Sequence, residues 1–470
     1  MPGPWKLITA WRLIEIHFVI RNKLIELTGR IMRRTQLATL VAGAMLAMNA
    51  QALDLMEALS AAQAYDSQFM SARAAREASA EKLPQGRSGL LPSAALSGSY
   101  SKIQGDGSFT IPTAFQKHLD YNSKGYQLQL KQPLFNMASF DSYEQSKLLT
   151  AIGDIQFEQA KMDLLLRVAQ AYFDVLAAQD AISFIQAQKT AITEQLASAK
   201  RNFEVGTATI TDTHEAQARY DLTLAQEIAA LNDLEVKRNA LAVVIGKVPN
   251  ELNQLSAGIK LASPEPANID KWVENAEVGN VGVVAQKLAV DIAKLEISRN
   301  RAGHFPTLDA IASRSRTQGF SSDPLAIVES TSVGVQLNIP LFSGFAVTSK
   351  VREAIALENQ ARADLDTNRR NATQAARTAY LGVQSGLSQV KALEAAEVSS
   401  NSALESNKLG YEVGVRINID VLNAQQQLYS TRRDLAKARY DTLVNSLKLK
   451  AATGSLTESD MAQINSLLSK

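Results

Sequence analysis

Hydrophobic positions along this chain fall into two alternating regimes. Across 137–203, apolar residues recur at Leu165, Val168, Tyr172, Val175, Ile182, Ile192, Leu196, Ala199 and Phe203. Across 346–411 the habit returns at Leu365, Ala372, Ala376, Ala379, Val383, Leu387, Val390 and Leu404. Spacings of three and four, or multiples near 3.5, predict helices packed along coiled-coil-like seams. No proline lies between Pro133 and Pro249, or after Pro340. An interior proline costs a helix ~3 kcal/mol, so both stretches can run unbroken. Roughly 66 residues at 1.5 Å each give helices ~100 Å long. Gly206 and Gly414 supply the backbone freedom for a helix end and turn. Shorter helices are predicted over 213–246 and 420–452, with others over 54–83 and 272–302 ahead of the strands.

The second regime is period-two. Tyr126, Leu128 and Leu130 alternate with Gly125, Gln127, Gln129 and Lys131, and Val333, Val335, Leu337 and Ile339 alternate with Gly334, Gln336 and Asn338. Each run predicts a strand with one apolar and one polar face. Their partners are placed at 93–104 and 307–318, joined by polar hairpin loops over 105–120 and 319–329. Pro92, Pro133, Pro306 and Pro340 mark the four strand–helix junctions. Phe135, Phe140, Phe305, Phe342 and Phe345 cluster there too, as core aromatics or as an interfacial aromatic belt.

The two regimes occur twice, with a period near 208 residues. Gln132-Pro133-Leu134-Phe135 returns as Ile339-Pro340-Leu341-Phe342, and Tyr172 as Tyr380. Phe203-Glu204-Val205-Gly206 returns as Tyr411-Glu412-Val413-Gly414, while Asp212 and Ala216-Gln217 return as Asp420 and Ala424-Gln425. We therefore divide the chain into a leader (1–52), a first repeat (53–248), a linker (249–270) with Pro249, Pro264 and Pro266, a second repeat (271–454) and a tail (455–470). Two repeats are too few for a solenoid, which favours a duplicated unit that assembles with other copies.

Charge and targeting narrow the class. The leader carries Arg33-Arg34, an apolar run from Leu37 to Met48 and the small-x-small site Ala50-Gln51-Ala52. This is the plan of a secretory signal peptide with a mature start at Leu53, and Met32 is a second possible start. Residues 53–470 carry 42 Lys/Arg and 45 Asp/Glu, without the basic footprint of a nucleic-acid-binding protein. The chain has no cysteine, which excludes disulfides, thiolate chemistry and an acylated N-terminal cysteine. His17, His118, His214 and His304 lack metal-ligand spacing, and no phosphate-binding glycine loop or nucleophile elbow is present. We expect no enzyme and no cofactor.

A secreted chain with four such strands cannot close a barrel alone, nor expose sheet edges to lipid. Three copies supply twelve strands, an even number as in outer-membrane barrels. The expected fold class is an α+β membrane protein. Four β-strands per chain would contribute to a trimeric 12-stranded outer-membrane β-barrel, continuous with a long periplasmic α-helical coiled-coil barrel. The contrasting reading is a periplasmic structural coiled coil without a pore.

On these grounds residues 53–454 resemble the TolC-type outer-membrane efflux and secretion channels. The resemblance rests on the duplicated strand–strand–long-helix plan and on two tip motifs, Val205 to Asp212 and Tyr411 to Ala424. Ala451 to Thr457 looks like the type I protein secretion branch. The resemblance implies a passive homotrimeric exit channel that meets a periplasmic adaptor and an inner-membrane ABC or proton-driven transporter, with outer-membrane lipid around its barrel. It maps a periplasmic gate onto Thr211, Asp212, Tyr411 and Arg416, and a cation-selectivity ring onto Asp420. Asn423 stands where the family usually has an acidic residue, so one carboxylate ring is expected rather than two. Asp212 and Asp420 also suit helix N-caps after a glycine turn.

Overall fold

A computed structural model of the protein describes residues 52–109, 115–249, 251–256, 258–320 and 325–469. The helices are α1 (Leu55–Tyr65), α2 (Ser67–Ala80), α3 (Lys82–Ser88), α4 (Met137–Glu204), α5 (Ile210–Ile245), α6 (Ile269–Gly279), α7 (Val281–Arg301), α8 (Ala346–Glu412), α9 (Asn418–Ala452) and α10 (Glu458–Asn465). The strands are β1 (Ser93–Phe109), β2 (Phe115–Phe135), β3 (Thr307–Gln318) and β4 (Ile327–Asn338). Leu53 and Leu252 form an isolated parallel bridge within a small unit of their own, and residues 55–249 and 254–470 form the other unit. The leader assigned to 1–52, Met32 included, lies outside the described residues except for Ala52.

The two long helices start and stop for local reasons. The Asn136 side chain accepts from Ser139 N at 3.2 Å and caps α4. Its 68 residues amount to ~100 Å at 1.5 Å per residue. At its far end Gly206 takes φ 78, and Gly414 takes φ 77 after the 67-residue α8. Both are left-handed conformations that glycine adopts without a Cβ penalty. The core runs along α4, where Tyr172, Phe173, Leu164 and Leu176 are fully buried. On α8 the buried set is rich in alanine (Ala354, Ala372, Ala376), which lets neighbouring backbones approach closely. Among the described residues no helix is long and apolar enough to cross a membrane.

The sheet is antiparallel in the order β1-β2-β3-β4. Directly opposed residues share a face, so the register sorts the side chains. One face carries Leu96 opposite Leu128, Ala94 opposite Leu130, Ala312 opposite Val333 and Leu308 opposite Leu337. The other carries serine and glutamine, with Ser313 and Ser332, then Ser315 and Ser330, hydrogen-bonded at 2.8 Å. Both faces are open: Leu96 is 74% and Val333 82% exposed, and every residue of β4 is exposed. Phe135, Phe140, Phe305, Phe342 and Phe345 are all exposed as well, so none is a core aromatic of the chain.

Several boundaries differ from the sequence reading. The helix expected over 54–83 is three helices, because Asp66 accepts from Phe69 N at 2.7 Å and starts α2 afresh. Asn280 likewise divides 272–302, its Oδ1 accepting from Gly282 N and Val283 N. The loop expected over 105–120 is mostly strand, since β1 reaches Phe109 and β2 resumes at Phe115. That over 319–329 is shorter, because β4 begins at Ile327. Pro133 sits inside β2 at a register shift, as befits a residue without a ladder donor. The tail folds back through α10, where Asn465 Oδ1 accepts from Leu55 N at 3.0 Å.

Candidate gate at the helix tips

The tips are where α4 turns into α5 and α8 into α9. At the first, Thr207 N and Ala208 N both donate to Asn202 O, at 2.8 and 3.2 Å. Thr209 then begins α5 with a full capping box. Asp212 N donates to Thr209 Oγ1 at 3.3 Å, while Thr209 N and Oγ1 donate to Asp212 Oδ2 at 2.9 and 2.8 Å. Such a reciprocal pair satisfies two backbone donors that the helix leaves open. The second tip repeats the turn, with Val415 N and Arg416 N donating to Gly410 O at 2.9 and 3.0 Å. Its cap differs. Ile417 occupies the position of Thr209 and offers no side-chain hydrogen bond.

That exchange decides what each aspartate does. Neither is an N-cap: Asp212 and Asp420 both stand three residues into the turn, after Thr209 and Ile417. The Asp212 carboxylate is engaged by Thr209. The Asp420 carboxylate, half-buried, faces exposed Arg416 instead, with Nη1 and Oδ2 3.6 Å apart. Within one chain Tyr411 does not meet Asp212. Its Oη accepts from Asn202 Nδ2 at 3.2 Å, and its ring packs against Leu404, Val421 and Leu428. Thr211 is exposed beside Asp212. Asn423, also exposed, accepts from Arg219 Nη2 at 2.8 Å, and Gln426 Oε1 accepts from Arg219 Nη1 at 2.6 Å.

Four polar residues that the sequence reading passed over organise this region. Asn418 is fully buried. Its Nδ2 donates to Asp212 O at 3.1 Å, and its Oδ1 accepts from Gln195 Nε2 at 2.5 Å. It therefore ties α9 to α4 and α5, above a cluster of Ile192, Leu196, Ala199, Ala216 and Leu422. Asn202 and Arg219 supply the other cross-helix links. A signal existed in the repeat itself: Asn418 replaces Ile210 and Arg416 replaces Ala208 one period on. Polar residues at positions that are apolar in the sister unit mark where the two tips diverge.

The sequence matches the outer membrane efflux protein family over residues 58–247 and 272–455. The chain belongs to that family. It is 32% identical to outer membrane protein TolC of Escherichia coli over 432 residues, which cover 89% of this chain and 86% of that one. It is equally 32% identical to the proteases secretion protein PrtF of Dickeya chrysanthemi over 446 residues, 92% of this chain and 95% of that one. Among solved structures, CusC superposes with a TM-score of 0.74 over 85% of this chain and 92% of the other, at 17% identity. The family places this protein in the outer membrane as an efflux or secretion channel that extends into the periplasm. The tip geometry and the two-faced sheet are thus parts of a channel protein.

Proposed function

We propose that the protein is a passive trimeric exit duct, in which three copies close one 12-stranded barrel and one helical tunnel. The observation that carries this reading is the four-stranded sheet with two unpaired edges, β1 and β4, an apolar face and a serine-rich face. An open edge is untenable in hydrocarbon, and closure with other copies removes it. The near-equal halves, each a strand pair followed by a 68- or 67-residue helix and a shorter one, support an internal duplication and a pseudo-sixfold tunnel. They also support the division into repeats at 53–248 and 271–454.

At the tips, Thr211, Asp212, Tyr411 and Arg416 form the gate between neighbouring copies, and three Asp420 carboxylates gather on the threefold axis. Exposed polar links of this kind are each worth ~0–1 kcal/mol, weak enough for a docking partner to release. That partner is a periplasmic adaptor with its inner-membrane ABC or proton-driven transporter. The 32% identity to the protease secretion proteins PrtF and AprF supports protein cargo, and that to TolC leaves efflux of smaller molecules beside it. No catalysis is involved, because energy enters at the inner membrane. The test is planar-bilayer conductance of the purified protein with chemical cross-linking of the same sample. Discrete channels from a cross-linked trimer are expected, and a detergent-independent, non-conducting species would point to the pore-free coiled coil.

A further inference from the structure

The outward half of the apolar face carries a row of four cations, followed beyond Lys102 by Asp120 and by Asp106, which pairs with His118. Arg314 and Arg316 alternate along β3 on the face that carries Ala312 and Leu308, opposite Leu128 and Tyr126 of β2. Lys124 stands two residues beyond Tyr126 on the same face, opposite Tyr100. Lys102 follows two residues beyond Tyr100, opposite Asn122. All four side chains are exposed. Successive members are i,i+2 or diagonal neighbours, ~7 Å apart. Arg316 has one anionic partner, Glu329, at 3.3 Å, while Arg314, Lys124 and Lys102 form no ion pair among the described residues.

Their height is informative. Arg314 lies six residues along β3 from Leu308, about 20 Å of strand. At a tilt of ~40° that is ~15 Å above the junction phenylalanines, inside an apolar band ~25 Å tall. A guanidinium there must reach upward to a charged layer, as long basic side chains do at membrane edges. The hairpin ends, opposite the helices, define the outward direction. Planar guanidinium forks and ammonium groups in a row suit an array of phosphates.

The geometry points to a binding site for a phosphorylated glycolipid of the outer leaflet, lipopolysaccharide, whose core phosphates engage Arg314, Arg316, Lys124 and Lys102. This rests on the reading that the apolar face is the lipid-facing wall of a barrel. The Ser313–Ser332 and Ser315–Ser330 pairs lie on the other face, so the cations serve lipid and not the lumen. Neighbouring copies would repeat the row around the barrel as three equivalent sites.

The test measures binding of rough lipopolysaccharide to the full-length protein in phosphatidylethanolamine nanodiscs, with conductance in planar bilayers recorded on the same preparation. Wild type should prefer the native glycolipid about tenfold over its dephosphorylated form, and Arg314→Gln, Arg316→Gln, Lys124→Gln together should erase the preference. The dephosphorylated arm needs no variant, so a poorly folding triple mutant does not blunt the test. Equal binding of the two glycolipids by a conducting wild type overturns the site while leaving the channel reading intact. Displacement by millimolar inorganic pyrophosphate overturns it in favour of a soluble anion site. A preparation that never conducts overturns both.

Discussion

Asp420 Oδ2 lies 3.6 Å from Arg416 Nη1, whereas Asp212, one period earlier, gives its carboxylate to Thr209. A single difference in capping residue, Thr209 against Ile417, leaves one carboxylate held by its own helix cap and turns the other toward an arginine. Ile417→Thr should therefore build the missing capping box and draw Asp420 back toward its own helix end. A cap of this kind is worth ~1 kcal/mol, so thermal stability should rise slightly while cation preference falls. Reversal potentials under a salt gradient read the second effect. An unchanged potential with a raised melting temperature would remove Asp420 from the ion path.

Tyr411→Phe combined with Arg416→Ser should raise single-channel conductance in planar bilayers. The pair removes the acceptor for Asn202 and the partner of Asp420 in every copy. Tyr411→Phe keeps the ring against Leu404, Val421 and Leu428, so the fold should survive. A correctly assembled double mutant with wild-type conductance would place the narrowest point elsewhere.

Asn423 is already engaged by Arg219, which alters the expected effect of introducing an acid there. Asn423→Asp alone adds carboxylates that Arg219 neutralises, so block by divalent cations should strengthen little. Asn423→Asp with Arg219→Gln should strengthen it by about tenfold, since in the proposed trimer three unpaired carboxylates would then join the Asp420 set. Titration of channel current with the cation measures both. Equal block in the single and double mutants would show that Arg219 does not shield this position.

Asp180 predicts a pH effect away from the helix tips. Burial pushes its carboxyl above the ordinary range, and the 2.7 Å hydrogen bond from Tyr440 offsets this only in part. With the folded value raised, the group favours folding below its unfolded pKa, and that contribution is lost as pH rises through the folded value. Asp180→Asn keeps an acceptor for Tyr440 without the charge. It should raise the melting temperature near pH 7, and the gain should shrink as pH falls and disappear only below pH ~3, where the carboxyl is protonated in both states. A gain that persists undiminished at pH ~3 would assign the effect to packing.

Much of this architecture was readable because long helices and half-buried strands impose strict periods. The ends of α4 and α8 fell within a residue of the expected 203 and 411, since glycine turns and distant prolines left no competing stop. The breaks at Asp66 and Asn280 were missed because the apolar period continues across them and only a side-chain cap restarts the helix. The upper arm of β1 escaped because beyond Lys102 the sequence turns polar and carries Gly105 and Gly107, and that of β2 because only Leu119 and Tyr121 keep the alternation between polar residues. At the tips, sequence resemblance named Tyr411, Arg416, Asp212 and Thr211, but the links made by Asn418, Asn202 and Arg219 cross between helices far apart in sequence. Such contacts leave no periodic trace.

The fully exposed β4 has a temporal consequence. Helix pairs joined by short turns rely on local contacts and form quickly, while in the proposed trimer sheet closure must wait for another molecule. Until then a chain carries two unsatisfied ladders, on β1 and β4, that can template aggregation. The interval is set by how often copies collide, so doubling the rate of export into the periplasm shortens it more than any change that speeds folding of one chain. Maturation of such a trimer is governed by supply, with a yield that climbs faster than linearly with the number of chains delivered.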